Sequence, residues 1–128
     1  MPGLSQELSH FVVTPPHLIC REGEPDTMQC HFMFTPEFSG FDGHFPDNPL
    51  LPGIVQIMLA RYTAAVGKSA RLCRVKRCKF LHAIKPGETV SVSVKPGRST
   101  GEYQATIASN DVACSAMVFE LEHTEVWQ

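Results

Sequence analysis

A proline-rich loop that runs directly into an apolar helix is the feature of this sequence that most constrains its fold. Residues 43–53 read Gly-His-Phe-Pro-Asp-Asn-Pro-Leu-Leu-Pro-Gly, and the apolar segment 54–66 follows at once. Proline holds φ at about −65°, so the prolines remove conformational freedom from the loop. The loop is therefore expected to hold its single histidine, His44, at a fixed place beside the start of the helix.

The segment 52–66 is predicted to form a buried helix. Pro52 lies in its first turn and Gly67 stands just past its end, which is the usual placing of both residue types. Apart from Gln56 and Arg61 the segment is apolar, so the helix should be buried on most sides. No capping side chain stands before Pro52, so the first N–H groups are left to bind an acceptor such as a carbonyl.

The rest of the chain is predicted to form strands around this helix. Alternation or β-rich composition indicates strands at Met28–Phe34, Arg71–Phe80, Thr89–Val94, Tyr103–Ser109 and Val112–Leu121. Asn110 and Asp111 are typical of a tight hairpin turn. Within residues 1–26 only a short strand or a helical turn is expected. One long helix with four or five antiparallel strands predicts a single α+β domain over residues 1–128.

Charge and composition exclude several classes of protein. The net charge of −2 argues against general nucleic-acid binding. No apolar run is long enough to cross a membrane, and the first residues lack the pattern of a signal peptide. Five cysteines without paired spacing favour reduced thiols and a cytoplasmic protein. The spacing of histidines and cysteines predicts no metal site, and no motif calls for a cofactor.

The loop resembles the signature of the hotdog-fold 3-hydroxyacyl-acyl carrier protein dehydratases of fatty-acid synthesis. The matching residues are Gly43, His44, Phe45, Pro46, Asn48, Pro49, Pro52 and Gly53. Downstream, Lys79-Phe80 and Pro86-Gly87-Glu88 resemble a second stretch of the family, so that the likeness spans about residues 38–120. The resemblance implies a hotdog fold, in which an antiparallel sheet wraps around one long central helix.

The resemblance also implies roles for particular residues. His44 would remove the C2 proton of a 3-hydroxyacyl thioester, and the N–H of Gly53 would bind the thioester oxygen as it gains charge. Phe45, Pro52 and Met58 would line the substrate-binding site. In the family, the histidine loop of one subunit meets the central helix of the other, so a homodimer is expected.

Met58 stands where the family carries a catalytic Glu or Asp, and a thioether cannot donate a proton to a leaving hydroxyl. Tyr62, four residues further along, shares the face of Met58 and could orient or protonate the leaving group. Asp42 and Asp47, which flank the histidine, are further candidates, although both also suit turns. Alternatively, His44 alone carries the proton to the departing hydroxyl.

Basic residues are concentrated in the segment 68–79, which holds six of the eleven in the chain. An acidic acyl carrier protein would be attracted to such a segment. The residues assigned to carrier binding are Arg71, Arg74, Lys76, Arg77 and Lys79. Strand alternation predicts that these side chains point to both faces. The alternative is a charged edge strand that resists aggregation.

Three functions follow from the resemblance. The leading one is dehydration of a 3-hydroxyacyl thioester, carried by an acyl carrier protein, to a trans-2-enoyl thioester. Its rival, which Met58 supports, is a non-catalytic subunit that binds acyl thioesters and pairs with an active homologue. A hotdog thioesterase is the third, and it would need a carboxylate that the central helix lacks.

Overall fold

The computed structural model describes residues 4–41, 50–67 and 70–122. Within these ranges the chain forms a six-stranded antiparallel sheet with one long helix packed against it. The elements are α1 (Leu4–Leu8), β1 (Val12–Ile19), β2 (Thr27–Met33), α2 (Gly53–Ala64), β3 (Leu72–Phe80), β4 (Thr89–Pro96), β5 (Glu102–Ser109) and β6 (Val112–Leu121), with 3-10 turns at Ser9–Phe11 and Ser39–Phe41. The strand order β1-β2-β4-β5-β6-β3 leaves β1 and β3 at the edges. The hotdog arrangement expected from the sequence is confirmed.

The core lies between the middle of the sheet and α2. Alternate residues of β2 and β4 point to the same side and are buried, as their period-two patterns predict: Met28, Cys30, Phe32, Val90, Val92 and Val94. Helix α2 contacts β4 and β5 most closely and places Val55, Leu59 and Ala60 in this core. The sheet therefore supports α2 along its length.

The predicted hairpin between β5 and β6 is confirmed. Asn110 and Asp111 both adopt positive φ, at 53° and 62°. Positive φ at both central residues is the geometry of the type I′ turn, which matches the twist of the flanking strands. Ser109 pairs with Val112 directly across this turn.

Strand β1 is longer than the short element expected near the amino terminus. It carries Pro15 and Pro16, and its register with β2 is irregular between Thr14 and His17. Proline lacks the N–H that a strand ladder uses, but an edge strand has an unpaired side where that loss costs little. The position of β1 at the edge of the sheet therefore explains why a proline pair is tolerated there.

Within the single chain, α2 is buried on one side and not on most sides. Ile54 is 63% exposed, and Ile57, Met58 and Arg61 are only half-buried. These positions follow the i, i+3, i+4, i+7 spacing of one helix face. Since the sheet covers only the opposite face, a largely apolar strip of the central helix remains uncovered.

Candidate functional site

The first turn of α2 presents backbone donors that the helix itself cannot use. Pro52 precedes the helix in an extended conformation (φ −63°, ψ 151°) and provides no side-chain cap. The N–H groups of Val55 and Gln56 both donate to the Pro52 carbonyl, at 3.1 Å. The N–H groups of Gly53 and Ile54 come first in the helix, where no preceding carbonyl of the helix can accept from them. This end of α2 is therefore suited to bind an oxygen that carries negative charge.

A cavity of about 410 Å³ lies at this end of the helix. The residues that line it come from two segments, 50–53 with Gln56 and 80–83. A hydrogen bond of 2.8 Å from the Leu51 N–H to the Ile84 carbonyl holds the two segments together. The volume is in the range of small-ligand sites. The chain that follows β3 thus forms one wall of the cavity, and the helix start forms the other.

Gly53 allows the aromatic ring of Phe80 to lie against the helix start. A Cβ atom at this position would lie 2.6 Å from Cζ of Phe80, which is closer than real Cβ contacts allow. The Phe80 side chain is 52% exposed. Gly53 thereby provides a backbone surface without a side chain, next to an aromatic wall.

Gln56 lies one turn into the helix and lines the same cavity. It is only 4% exposed, and its Nε2 donates to the Leu51 carbonyl at 3.2 Å. Its Oε1 is buried and has no hydrogen-bond partner in the described part of the chain. Sequence reasoning noted Gln56 only as a polar exception, although a lone amide in an apolar helix was the available signal.

His82 is a second residue that sequence reasoning did not single out. It is exposed, lies in the segment that lines the cavity, and donates its backbone N–H to the Cys114 carbonyl at 3.2 Å. Its place shortly after Lys79-Phe80, in the second stretch that resembles the family, was the available signal. The cavity therefore has a titratable side chain at its rim.

The histidine loop itself lies outside the described residues. His44, Phe45, Asp42 and Asp47 all fall within residues 42–49, so the roles assigned to them stay predictions. Of the residues assigned from the sequence, the structure brings Pro52 and Gly53 together at the cavity.

Met58 and Tyr62 lie further along α2 and do not line this cavity. Tyr62 is nine residues beyond Gly53, which corresponds to about 14 Å along a helix axis. Its ring packs edge-on against Phe32, with the ring centroids 5.6 Å apart. Burial raises the pKa of Tyr62, so its hydroxyl stays protonated at neutral pH. Within one chain, therefore, Tyr62 is separated from the helix start, and its proposed role depends on a second subunit.

Two bulges in β3 change which face its basic side chains occupy. The register with β6 shifts between Leu72 and Arg74 and again between Val75 and Arg77. Residues directly opposite each other in antiparallel strands point to the same side of the sheet. The pairs on the side away from α2 are Arg74–Glu120, Arg77–Val118 and Lys79–Ala116. For these three residues the expected alternation between both faces is therefore wrong, because the bulge between Val75 and Arg77 places Arg77 and Lys79 on the same side of the sheet as Arg74.

Part of this basic charge is neutralised within the chain. Arg74 pairs with Glu120 at 3.3 Å, and Lys76 pairs with Glu102 at 2.6 Å and with Glu120 at 3.7 Å. The hydrogen bond from Lys76 holds the pKa of Glu102 below its ordinary value. No ion pair among the described residues involves Arg77 or Lys79.

Arg77 and Lys79 line a groove of about 580 Å³ on the face of the sheet away from α2. Residues of β3, β5 and β6 form the rest of its lining, among them Gln104, Thr106 and Ala116. Arg71 is exposed just before β3 begins. Of the residues assigned to carrier binding, Arg77 and Lys79 therefore lie on one surface without an ion-pair partner among the described residues. Arg74 and Lys76 form ion pairs with glutamates of β5 and β6.

The described residues contain neither a cluster of metal-binding side chains nor a helix that is long and apolar enough to span a bilayer.

The fold and the uncapped helix start define a domain of the hotdog class with a cavity at the start of its central helix. A family model described as ApeI dehydratase, of the ApeI-like family, matches residues 20–117. The chain therefore belongs to the ApeI-like dehydratase family.

Individual relatives agree with this assignment. The 3-hydroxyacyl-[acyl-carrier-protein] dehydratase FabZ of Levilactobacillus brevis is 32% identical over 107 residues, which cover 73% of this chain and 71% of the relative. The FabZ of Latilactobacillus sakei is 30% identical over 96 residues, which cover 64% of this chain and 69% of the relative. The chain is thus similar to dehydratases over most of its length.

Solved structures support the fold. The dehydratase heterocomplex ApeI:P from Xenorhabdus doucetiae matches with a TM-score of 0.65 and 21% identity, over 83% of this chain and 96% of that chain. The uncharacterized protein PH1136 from Pyrococcus horikoshii matches with a TM-score of 0.67 and 18% identity, over 94% of this chain and 89% of that chain. At these identities the likeness shows the hotdog fold alone.

Proposed function

We propose that this protein dehydrates 3-hydroxyacyl thioesters, carried by an acyl carrier protein, to trans-2-enoyl thioesters. The observation that carries the proposal is the uncapped start of α2, where Gly53, the first residue of the helix, lines a cavity. Membership of the ApeI-like dehydratase family supplies the reaction class. Donors of this kind contribute about 3 kcal/mol when they face an oxygen that gains charge in the transition state.

In the proposed reaction, the Gly53 N–H binds the thioester oxygen and His44 removes a proton from C2. Charge develops on the thioester oxygen as the C2–H bond breaks, and the helix start stabilises it. The electron pair then forms the C2–C3 double bond while the C3–O bond breaks. The leaving hydroxide takes a proton and departs as water.

Met58 raises the question of which group gives that proton. A thioether has no proton to give. His44 can return the proton it took from C2, which needs no second acid. Tyr62 of a second subunit is another candidate because its raised pKa keeps its hydroxyl protonated. Asp42 and Asp47 are the remaining candidates for this proton donor.

A second subunit is part of this proposal. The uncovered face of α2 includes Ile54, which is 63% exposed, and the half-buried Ile57 and Met58. Covering these side chains with the same face of another copy would remove apolar area from water. A homodimer would also bring the α2 helix of one subunit towards the histidine loop of the other.

The carrier is proposed to dock on the basic surface that follows β3. Arg77 and Lys79 have no ion-pair partner among the described residues and share one face of the sheet. Arg71 adds a third exposed cation at the start of the strand. Attraction between an acidic carrier and this surface would be weakened by salt.

A non-catalytic subunit is the second candidate function, and Met58 is the observation that favours it. The similar structure from Xenorhabdus doucetiae is a dehydratase heterocomplex. By analogy, this chain could bind the acyl carrier while an active homologue supplies the missing acid.

Enoyl-thioester absorbance with purified protein and a 3-hydroxyacyl carrier protein tests the proposed function. We expect turnover in the natural protein and a loss of about 10²- to 10⁴-fold in His44→Ala, with the melting temperature nearly unchanged. His17→Ala, a change on edge strand β1, is the matched control and should keep full activity. If His82→Ala lost turnover and His44→Ala kept it, the base would be His82, at the rim of the cavity, and not His44.

Salt dependence separates the carrier surface from the active site in the same assay. Turnover of the carrier-linked substrate should fall as salt rises, while turnover of the same acyl group on free pantetheine should change little. Carrier binding without any turnover would favour the non-catalytic subunit. Appearance of a free thiol, detected with a thiol-reactive dye, would indicate a thioesterase and contradict dehydration.

A further inference from the structure

In the side-chain amide of Gln56, the NH₂ group makes a hydrogen bond, whereas the carbonyl oxygen makes none within the described part of the chain. Its Nε2 donates to the Leu51 carbonyl at 3.2 Å, whereas its Oε1 is buried without a partner in the described part of the chain. The orientation of the amide is fixed, because a carbonyl oxygen can only accept and so must face the NH₂ group. What remains is a buried acceptor that lacks a donor, on a residue that lines the cavity.

Building on the proposed function, we propose that Gln56 recognises the 3-hydroxyl group of the substrate through Oε1. The buried oxygen can only accept, so its complement must donate a hydrogen bond. Near the reacting centre, the thioester oxygen and sulfur have no hydrogen to donate, whereas the 3-hydroxyl has one. The enoyl product has lost that group.

The spacing of the two helix residues suits one ligand. Gly53 and Gln56 are three positions apart and line the same cavity, so they lie on one face of the first turn. The thioester oxygen and the 3-hydroxyl oxygen are separated by C1, C2 and C3 of the acyl chain. A ligand whose carbonyl accepts from the Gly53 N–H can therefore place its hydroxyl near the Gln56 side chain.

The burial of Oε1 makes this contact selective. A buried acceptor without a donor is unfavourable, so a ligand that brings a donor gains more than it would at an exposed site. Sites built to hydrogen-bond a hydroxyl reject ligands that lack it. Gln56 would thus favour the 3-hydroxyacyl substrate over saturated chains, and it would weaken binding of the enoyl product once water has left.

Calorimetry with two ligands that cannot react tests this inference. The ligands are a 3-hydroxyacyl pantetheine amide and the saturated acyl pantetheine amide of the same length. The natural protein should bind the hydroxylated ligand about tenfold more tightly. Gln56→Leu, which removes the acceptor at similar volume, should bind both ligands about equally. Thr63→Val is the matched control, because the Thr63 hydroxyl already donates to the Leu59 carbonyl at 2.9 Å within α2.

Two outcomes would overturn the inference: equal binding of the two ligands by the natural protein, and an unchanged preference in Gln56→Leu, whether or not both ligands bind more weakly. The first needs no variant, so the test holds even if Gln56→Leu fails to fold. Because the ligands do not react, the result is independent of the proposed dehydration. If the protein prefers the hydroxylated ligand but does not turn over substrate, the proposed dehydration is wrong and the proposed role of Gln56 stands.

Discussion

The two ends of helix α2 contrast in how their backbone groups are satisfied. At the carboxyl end the chain closes on itself: the Ala65 N–H donates to the Arg61 carbonyl at 2.9 Å, and the Gly67 N–H donates to the Tyr62 carbonyl at 2.9 Å. Gly67 adopts a φ of 75°, the left-handed conformation that commonly ends helices. At the amino end the helix begins after a proline, without a side-chain cap.

The contrast separates stability from function within one helix. The carboxyl end uses backbone conformation to satisfy its carbonyls, and Ala64 and Ala65 there are buried in the core. The amino end has no side-chain cap, and Gly53 and Gln56 there line a cavity. A helix start without a cap forgoes about 1 kcal/mol of stability. We infer that the ligand, and not a side chain, is the partner for which this end is built.

The largest effect is expected from a change in the middle of α2. Met58→Glu would place a carboxyl group at the position that the sequence resemblance assigns to the catalytic acid, and the dehydration rate should rise by about 10²-fold. The enoyl absorbance assay measures this gain. Met58→Gln is the matched control, since it has nearly the same shape and no proton to give.

Two outcomes would contradict the idea that the proposed active site lacks only an acid. An equal gain in Met58→Gln would mean that polarity alone improved the site. A folded Met58→Glu without any gain would mean that the site differs from that of the family in further respects.

A smaller effect is expected at the helix start. Gly53→Ala would place a Cβ 2.6 Å from the present position of Phe80 Cζ, so the ring must move within the cavity. We expect kcat/KM to fall about 10- to 100-fold. Stability should hardly fall, because alanine is favoured over glycine in a helix and Phe80 is half-exposed.

The double variant Gly53→Ala with Phe80→Leu sharpens this test. A leucine at position 80 lacks the ring atoms nearest the new methyl group, so activity should recover in part if crowding is the cause. A large loss of stability in Gly53→Ala alone would contradict the proposed role of Gly53 in the cavity. It would mean that Gly53 is needed for packing, as the buried Ala64 and Ala65 are at the carboxyl end of α2.

Much of the fold could be predicted because its patterns are local. The alternation in β2 and β4, the apolar α2 segment and the Asn110-Asp111 turn each determine a local geometry. Strand β1 was harder, because its proline pair is acceptable only at a sheet edge, and edge position is a property of the whole sheet. The two bulges in β3 depend on pairing with β6, so the common face of Arg74, Arg77 and Lys79 could not be predicted from alternation.

The candidate site was predictable in part for a similar reason. Pro52 and Gly53 belong to a motif that is continuous in sequence, and the structure places both at the cavity. The other wall comes from Phe80 and His82, which are distant from the helix start in sequence and meet it only in the folded chain. Gln56 required knowledge of burial and of its single hydrogen bond, neither of which a sequence provides.

The smallest effect is expected at the closed end of α2. Gly67→Ala would force a side chain into a left-handed backbone at φ 75°, although its Cβ would meet the Tyr62 hydroxyl only at an ordinary 3.4 Å. We expect a cost of about 1 kcal/mol, which lowers the melting temperature by about 3–5 °C. Because the strained turn lies at the opposite end of α2 from the cavity, kcat/KM should stay unchanged at temperatures well below the transition. A loss of activity without a loss of stability would contradict the separation of the two ends, and it would identify the Tyr62 hydroxyl as the group through which the closed end reaches the reaction.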